Sequence, residues 1–232
     1  AAANSQYVKR LNKIKQGLPK SVNGQTLQYT VYLKAEHNAW AMPNGCIRLY
    51  SGLMDMMDDD EIRGVLGHEI GHIALGHATN RMRTAAMASL GRDLLSSSSN
   101  ATLSSLSRSD LGALGEGFIN AQFSQKQELE ADQYSVELHL RENRDPLPIA
   151  SAFDKLAQLG NRSSLFSTHP APKARAERIR QQLQQQESNE QSFTPFQHNG
   201  DKRAPTLDRH RRSLIIHSRV DSITKRDRAF NK

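Results

Sequence analysis

A chain of 232 residues, with 31 Lys or Arg against 24 Asp or Glu, can bury one sizeable core, and one domain with a tail fits that length better than two full domains. The net charge of +7 would point to nucleic acid, but ten basic residues and only four acids fall between Asp201 and Lys232, so nearly all of the excess belongs to the tail. The single cysteine, Cys46, excludes an internal disulfide and a cysteine-based zinc knuckle, and no apolar run approaches the roughly 18 residues that span a bilayer.

The opening residues, AAANSQYVKR, lack the charged-then-apolar layout of a secretion signal, and a start at Ala rather than Met reads as a processed, soluble form. A first helix is predicted in NSQYVKRLNKIKQGL, with Asn4 as its cap and Tyr7, Leu11 and Ile14 on one face. In TLQYTVYLK the period changes to two, which places Leu27, Tyr29, Val31 and Leu33 on the buried side of a strand. HNAWAM and CIRLYSGL flank PNG and read as two strands joined by a tight turn, with Gly45 supplying positive φ and Cys46 buried as a small core residue. The three strands are expected to form a small antiparallel sheet.

From Asp58 the period returns to about 3.6. Asp58 and Glu61 have the spacing of a capping box, and the acids of DDDE suit the positive end of a helix dipole, so this run reads as a helix start and not as a metal site. Ile62, Val65, Leu66, Ile70, Ile73 and Ala74 make the helix apolar over much of its circumference, which places it inside the fold. Gly64, Gly67, Gly71 and Gly76 each weaken a helix by up to about 1 kcal/mol relative to Ala, and their number implies that another backbone packs closely. Residues 78–95 can continue as helix. SSSSNATLSSLSRSD has the composition of a mobile surface loop, and residues 117–140 become helical again. PIASAFDKLAQLG is an amphipathic helix ending at Gly160, and a last helix starts after Pro170 in PAPKARAERIRQQLQQQ. The glutamine-rich QQLQQQESNEQ reads as a flexible junction to the tail, in which residues 201–232 hold one aromatic, Phe230, for stacking on bases. The domain is therefore placed at 1–186 and a flexible basic tail, disordered or added, at 187–232, with no nucleic-acid partner expected. The class is α+β and mainly helical.

The chemistry-bearing stretch is VLGHEIGHIALGH, residues 65–77. His68 and His72 are four apart, about 400° of helical rotation, so both rings leave the same face one turn apart and can reach one cation. Zinc accepts such nitrogen ligands, a catalytic zinc typically keeps three protein ligands and a water, and Glu69 stands where it can take a proton from that water. Chance placement of the chain's His and Glu predicts about 0.02 occurrences of H-E-x-x-H. His77 follows His72 by five residues, about 140° around the helix, so it points away unless the helix breaks at Gly76, and it reads as a structural or surface histidine. A further ligand is offered by QKQELEADQYS, where Glu128 and Asp132 lie one turn apart on one face. One could bind the metal while the other accepts a proton from a ligating imidazole; a charged outer face would give the same spacing. Glu130 falls on a different face and is expected to be solvated.

HEIGH at 68–72 followed by ELEAD at 128–132 resembles the zinc metallopeptidases of the CAAX prenyl protease and HtpX family, and its soluble periplasmic branch in particular. NAWAMPNGCIRLYSGLM resembles the family's edge-strand segment before the active helix, and THPAPKARAERI its downstream His-Pro segment, so the likeness spans residues 4–182. The resemblance implies a gluzincin-type domain with one Zn2+ per chain on His68, His72 and Glu128, and with Asp132 behind a ligating histidine. It also maps a His and an Arg near the site onto His169 and Arg175, as help for the tetrahedral oxyanion. Substrate would add to the HNAWAM strand through its unpaired backbone, with Asn38 and Ala39 as contacts and little reading of sequence.

The implied activity is a zinc endopeptidase, Glu69 acting on the zinc-bound water, that cleaves internal bonds of unfolded or misassembled envelope proteins. The branch implies a periplasmic location with attachment to the outer membrane in the full-length protein, and an outer-membrane or periplasmic protein partner. Its lipid-bearing cysteine and signal are not among these residues, and nothing after about residue 186 resembles it. The competing class is a zinc-stabilised, chaperone-like binding protein with a blocked cleft; an intact Glu69 favours the enzyme, because a structural site has no use for a base beside the water.

Overall fold

The structure is a computed structural model that describes residues 1–2, 5–84, 87, 122–160 and 165–192. Helix α1 (Gln6–Ile14) is capped by Ser5, whose hydroxyl accepts from the Val8 amide; the expected cap, Asn4, lies outside the described residues. Leu11 and Ile14 are buried and Tyr7 packs beside them, as the spacing predicts. A two-residue hairpin follows, β1 (Ser21–Val22) with β2 (Gln25–Thr26), turning through Asn23 and Gly24, both at positive φ.

The sheet holds β3 (Gln28–Tyr32), β4 (Ala39–Ala41) and β5 (Cys46–Tyr50) in the order β3-β5-β4. β4 and β5 are antiparallel, with Ala39 opposite Leu49, and Gly45 in their turn has φ +84. A Cβ there would stand 2.3 Å from the Thr26 carbonyl oxygen, so only glycine fits. The sheet is not wholly antiparallel: β3 runs parallel to β5, with Val31 opposite Leu49. Alternation of period two reports which face is buried and says nothing about the direction of the neighbouring strand. Leu33 also departs from expectation. The strand ends at Tyr32, and Leu33 is 60% exposed while Leu27 and Val31 are buried. Cys46 is a buried free thiol.

After α2 (Ser51–Met56), helix α3 (Asp59–Ala74) begins with the expected capping box: Asp58 accepts from the Glu61 amide and Glu61 from the Asp58 amide, each at 2.8 Å. Ile62, Leu66 and Ile70 are fully buried, and α3 runs through the centre of the core. Helix α4 (Gln125–Arg141) starts at a second capping box, Ser124 with Gln127; residues 122–124 are not helical, and 117–121 lie outside the described residues. Helix α5 (Leu147–Leu159) ends at Gly160, α6 (Leu165–Thr168) is a single turn, and α7 (Pro172–Ser192) closes the described chain.

Three of the four glycines, those within α3, do what their number implies. A Cβ on Gly64 would lie 3.1 Å from Ile149 Cα, on Gly67 2.6 Å from Ser135 Oγ, and on Gly71 3.1 Å from Ala131 Cα, so α5 and α4 approach the α3 backbone directly. Gly76 differs. It has φ +70 and, among the described residues, nothing within 4 Å of a Cβ; it ends the helix, and helical backbone resumes over residues 77–84.

The glutamine-rich stretch is helix and not a flexible junction. Gln and Glu are good helix formers, Leu183 packs on the core, and Gln182 donates to Gln133 Oε1 at 2.7 Å, so α7 runs past residue 186 to Ser192. The serine-rich loop and residues 193–232 lie outside the described residues. No helix among the described residues is long and apolar enough to cross a membrane.

Candidate metal centre

Because α3 is buried on all sides, its histidines face protein. His68 and His72 bring their Nε2 atoms to 3.0 Å from one another. Close packing of α4 against Gly71 and Gly67 delivers Glu128 to the same point, with Oε1 3.3 Å from His72 Nε2 and Oε2 3.6 Å from His68 Nε2. His169, between α6 and α7, places Nδ1 3.2 Å from His68 Nε2 and 2.9 Å from Glu128 Oε1. Each of these four residues offers an atom within 4.8 Å of the others, and all four are buried.

This geometry can be tested against a metal. Tetrahedral ligands at about 2.1 Å from an ion lie about 3.4 Å from one another. The separations among the four donors straddle that value, and imidazole with carboxylate is a donor set for a first-row divalent ion. The residues therefore fit a metal. Beside them Glu69 is buried, its Oε1 without a hydrogen bond among the described residues and 3.6 Å from His169 Nε2. A small apolar pocket walled by Val65, Phe153, Leu156 and Leu165 abuts Glu69 and His169.

Asp132 stands behind the cluster. Its Oδ1 is 2.9 Å from His68 Nδ1, the nitrogen turned away from the other ligands. Arg175 donates Nε to Asp132 Oδ2 at 2.8 Å and forms a buried ion pair with Glu128, so its guanidinium ties the two carboxylates of α4 together. His72 stacks on Phe123, ring centroids 3.8 Å apart, and Arg81 lies over the Phe123 ring at 4.5 Å from its centroid. His77 is buried as well. The break at Gly76 turns it back to His72, Nδ1 to Nδ1 3.2 Å, and its Nε2 lies 3.1 Å from Glu130 Oε2. Glu130 is thus half-exposed and paired, where the sequence predicts it solvated.

Burial holds the His72 pKa well below the usual histidine value. It works against charge on Glu128 too, but the pull of His169 and hydrogen bonds from His169 and His72 outweigh it, leaving that carboxyl far below its usual range. Asp132 is lowered in the same way, burial being overcome by Arg175. His169 is raised: burial opposes its charge and Glu128 overrides burial. Arg81 is brought down to about 10 by burial, against the attraction of Glu69 and Glu128.

The structure brings together His68, Glu69, His72, Glu128, Asp132, His169 and Arg175. Ala39 opens the edge strand β4, which packs on α3, and Asn38 immediately precedes it; the Asn38 carbonyl accepts from the Tyr50 amide at 3.0 Å, and Ala39 is buried. Phe123, Phe153 and Arg81 are parts of the site that sequence reasoning misses. Phe153 lies in the apolar stripe of α5, and nothing local shows that it will meet His68 edge-on at 5.9 Å.

A buried helix carrying two histidines one turn apart, met by a carboxylate from a neighbouring helix, defines the helix-borne metallopeptidases as a class. Comparison of the whole sequence narrows the class. Peptidase family M48 matches residues 5–183, and the chain belongs to that family. It is 48% identical over 185 residues to metalloprotease LoiP of Escherichia coli K12, covering 79% of this chain and 73% of that protein. Metalloprotease YcaL of the same organism is 45% identical over 185 residues, 79% of this chain and 72% of its own length. The β-barrel assembly-enhancing protease of E. coli K12 is 29% identical over 152 residues, 60% of this chain and 31% of that protein. The chain is a metalloendopeptidase.

Proposed function

We propose that the chain is a zinc endopeptidase whose metal is held by His68, His72 and Glu128, and that it cuts internal peptide bonds of unfolded or misassembled envelope proteins in the periplasm, with attachment to the outer membrane in the full-length protein. The observation that carries the reading is the convergence of three donor side chains from α3 and α4 beside a buried glutamate oxygen that has no hydrogen bond among the described residues. When bound, zinc lowers the pKa of water toward about 7 and polarises the scissile carbonyl. Glu69 removes the proton of the attacking water and returns it to the leaving amine. His169, with Nε2 toward Glu69, donates to the oxyanion as it forms. Arg175 and Asp132 hold Glu128 and His68 in place. The substrate backbone pairs with β4 near Asn38 and Ala39, which gives broad specificity. The similarity to a β-barrel assembly-enhancing protease supports envelope proteins as substrates and partners.

The burial of every ligand favours one other reading, a zinc-stabilised chaperone-like protein with a blocked cleft. Zinc content and cleavage of an unfolded protein, measured together, separate the two. Glu69→Gln keeps zinc and loses roughly 10²- to 10⁴-fold in cleavage rate, since Gln cannot take the proton. Glu128→Ala loses the metal, and His169→Ala keeps it while slowing turnover about 10²-fold. A zinc-loaded parent that cleaves nothing selects the binding protein, and an unchanged rate in Glu69→Gln refutes the mechanism.

A further inference from the structure

The two histidines of α3 differ in what stands behind them. His68 has a carboxylate directly on its outer nitrogen, Asp132 at 2.9 Å. Among the described residues His72 has no carboxylate on Nδ1; the group there is the His77 ring, 3.2 Å away, nitrogen to nitrogen. Glu130 then lies 3.1 Å from the far nitrogen of that ring. Taking His72 as a metal ligand, which rests on the proposed function, we infer that His77 and Glu130 form a positioning chain for His72: a carboxylate that acts on the ligand through a second imidazole.

One proton arrangement satisfies every atom of the chain. If His72 meets the metal through Nε2, the nitrogen that faces His68 and Glu128, its proton sits on Nδ1 and is donated to His77 Nδ1. His77 then carries its own proton on Nε2 and donates it to Glu130. Each member fixes the tautomer and ring plane of the next, which is what a ligating imidazole needs if its lone pair is to stay aimed at the ion. The packing supports the same orientation, since Phe123 stacks flat on the His72 ring and leaves rotation in its plane to be set by hydrogen bonds.

Backbone geometry shows how His77 comes to be there. On an unbroken helix it would lie about 140° from His72. Instead α3 stops at Ala74, Gly76 takes φ +70, and the next helical segment begins with His77 turned inward and 4% exposed. Among the described residues nothing crowds a Cβ at Gly76, and its positive φ serves the backbone turn. Glu130 comes from α4, two residues beyond Glu128, so one helix carries a proposed ligand on one face and the end of the positioning chain on another.

The test is zinc affinity of the full chain, measured by competition with a chromophoric chelator, together with the visible spectrum of the cobalt-substituted protein and thermal unfolding of the metal-free form. His77→Leu and Glu130→Ala each weaken zinc binding, His77→Leu by about 10- to 100-fold, and both shift the cobalt spectrum. His77→Asn, which keeps an acceptor near the position of Nδ1, recovers part of the loss. Because the two residues act in series, adding Glu130→Ala to His77→Leu weakens binding no further. Glu130 is half-exposed, so its variant melts like the parent when metal-free and carries the test even if His77→Leu does not fold. His72→Ala is the control. If it releases zinc while Glu130→Ala or a folded His77→Leu binds as tightly as the parent, the positioning chain is wrong; if His72→Ala retains zinc, the ligand assignment beneath it is wrong. Fully additive losses in the double variant also overturn the chain.

Discussion

Gly71→Ala probes the packing that delivers the metal ligands. Gly71 precedes His72, and a Cβ built on it would lie 3.1 Å from both Cα and O of Ala131, one turn beyond Glu128 on α4. The obstacle is backbone, so no side-chain rotation relieves it, and α3 and α4 must separate by a few tenths of an ångström. Overpacking of this kind costs about 1–3 kcal/mol. Alanine returns up to about 1 kcal/mol of helix propensity. The net expectation is a loss of roughly 0–2 kcal/mol in stability. The separation also moves Glu128 away from His68 and His72, and metal-ligand distances tolerate only about 0.2 Å, so zinc affinity should fall more sharply than stability. Urea unfolding of the metal-free protein and zinc competition on the same preparation measure the two effects. If Gly71→Ala gains the full alanine increment and binds zinc as tightly as the parent, the α3–α4 contact is not what holds the ligands together.

Asp132→Ala, which leaves His68 Nδ1 without its carboxylate, should weaken zinc binding by about 10- to 100-fold without abolishing it; full retention, or complete loss as in Glu128→Ala, contradicts a role behind the histidine. Glu61 predicts an acid limb in stability. Burial opposes its charge, but bonds from Lys155 and Ser151 and from the Asp58 amide outweigh it and lower its pKa. A carboxyl depressed in the folded state stabilises above its unfolded pKa, about 4.3, and that contribution is lost as pH falls through the folded value. Metal-free Glu61→Gln should therefore be less stable than the parent at pH 7 and lose less on acidification toward pH 3; parallel pH profiles would refute this.

Much of the catalytic helix is legible from residues alone, because its determinants are local. The Asp58–Glu61 cap, the apolar circumference of α3, the one-turn spacing of His68 and His72, and the glycines that admit α4 and α5 are all consequences of helical period and side-chain size, and the structure bears out the helix, its cap and three of its four glycine contacts. Tertiary structure decides what meets that helix. Glu128 and Asp132 share a face of α4 and are interchangeable by spacing; the approach of α4 across Gly71 and Gly67 puts Glu128 beside both Nε2 atoms and Asp132 behind His68. The direction of β3, the inward turn of His77 after Gly76, the stacking of Phe123 on His72 and the arrival of His169 from beyond α6 have the same character. A periodic pattern states which side of an element must be covered, whereas the partner that covers it, and the angle at which it arrives, are set by packing among segments far apart in the chain.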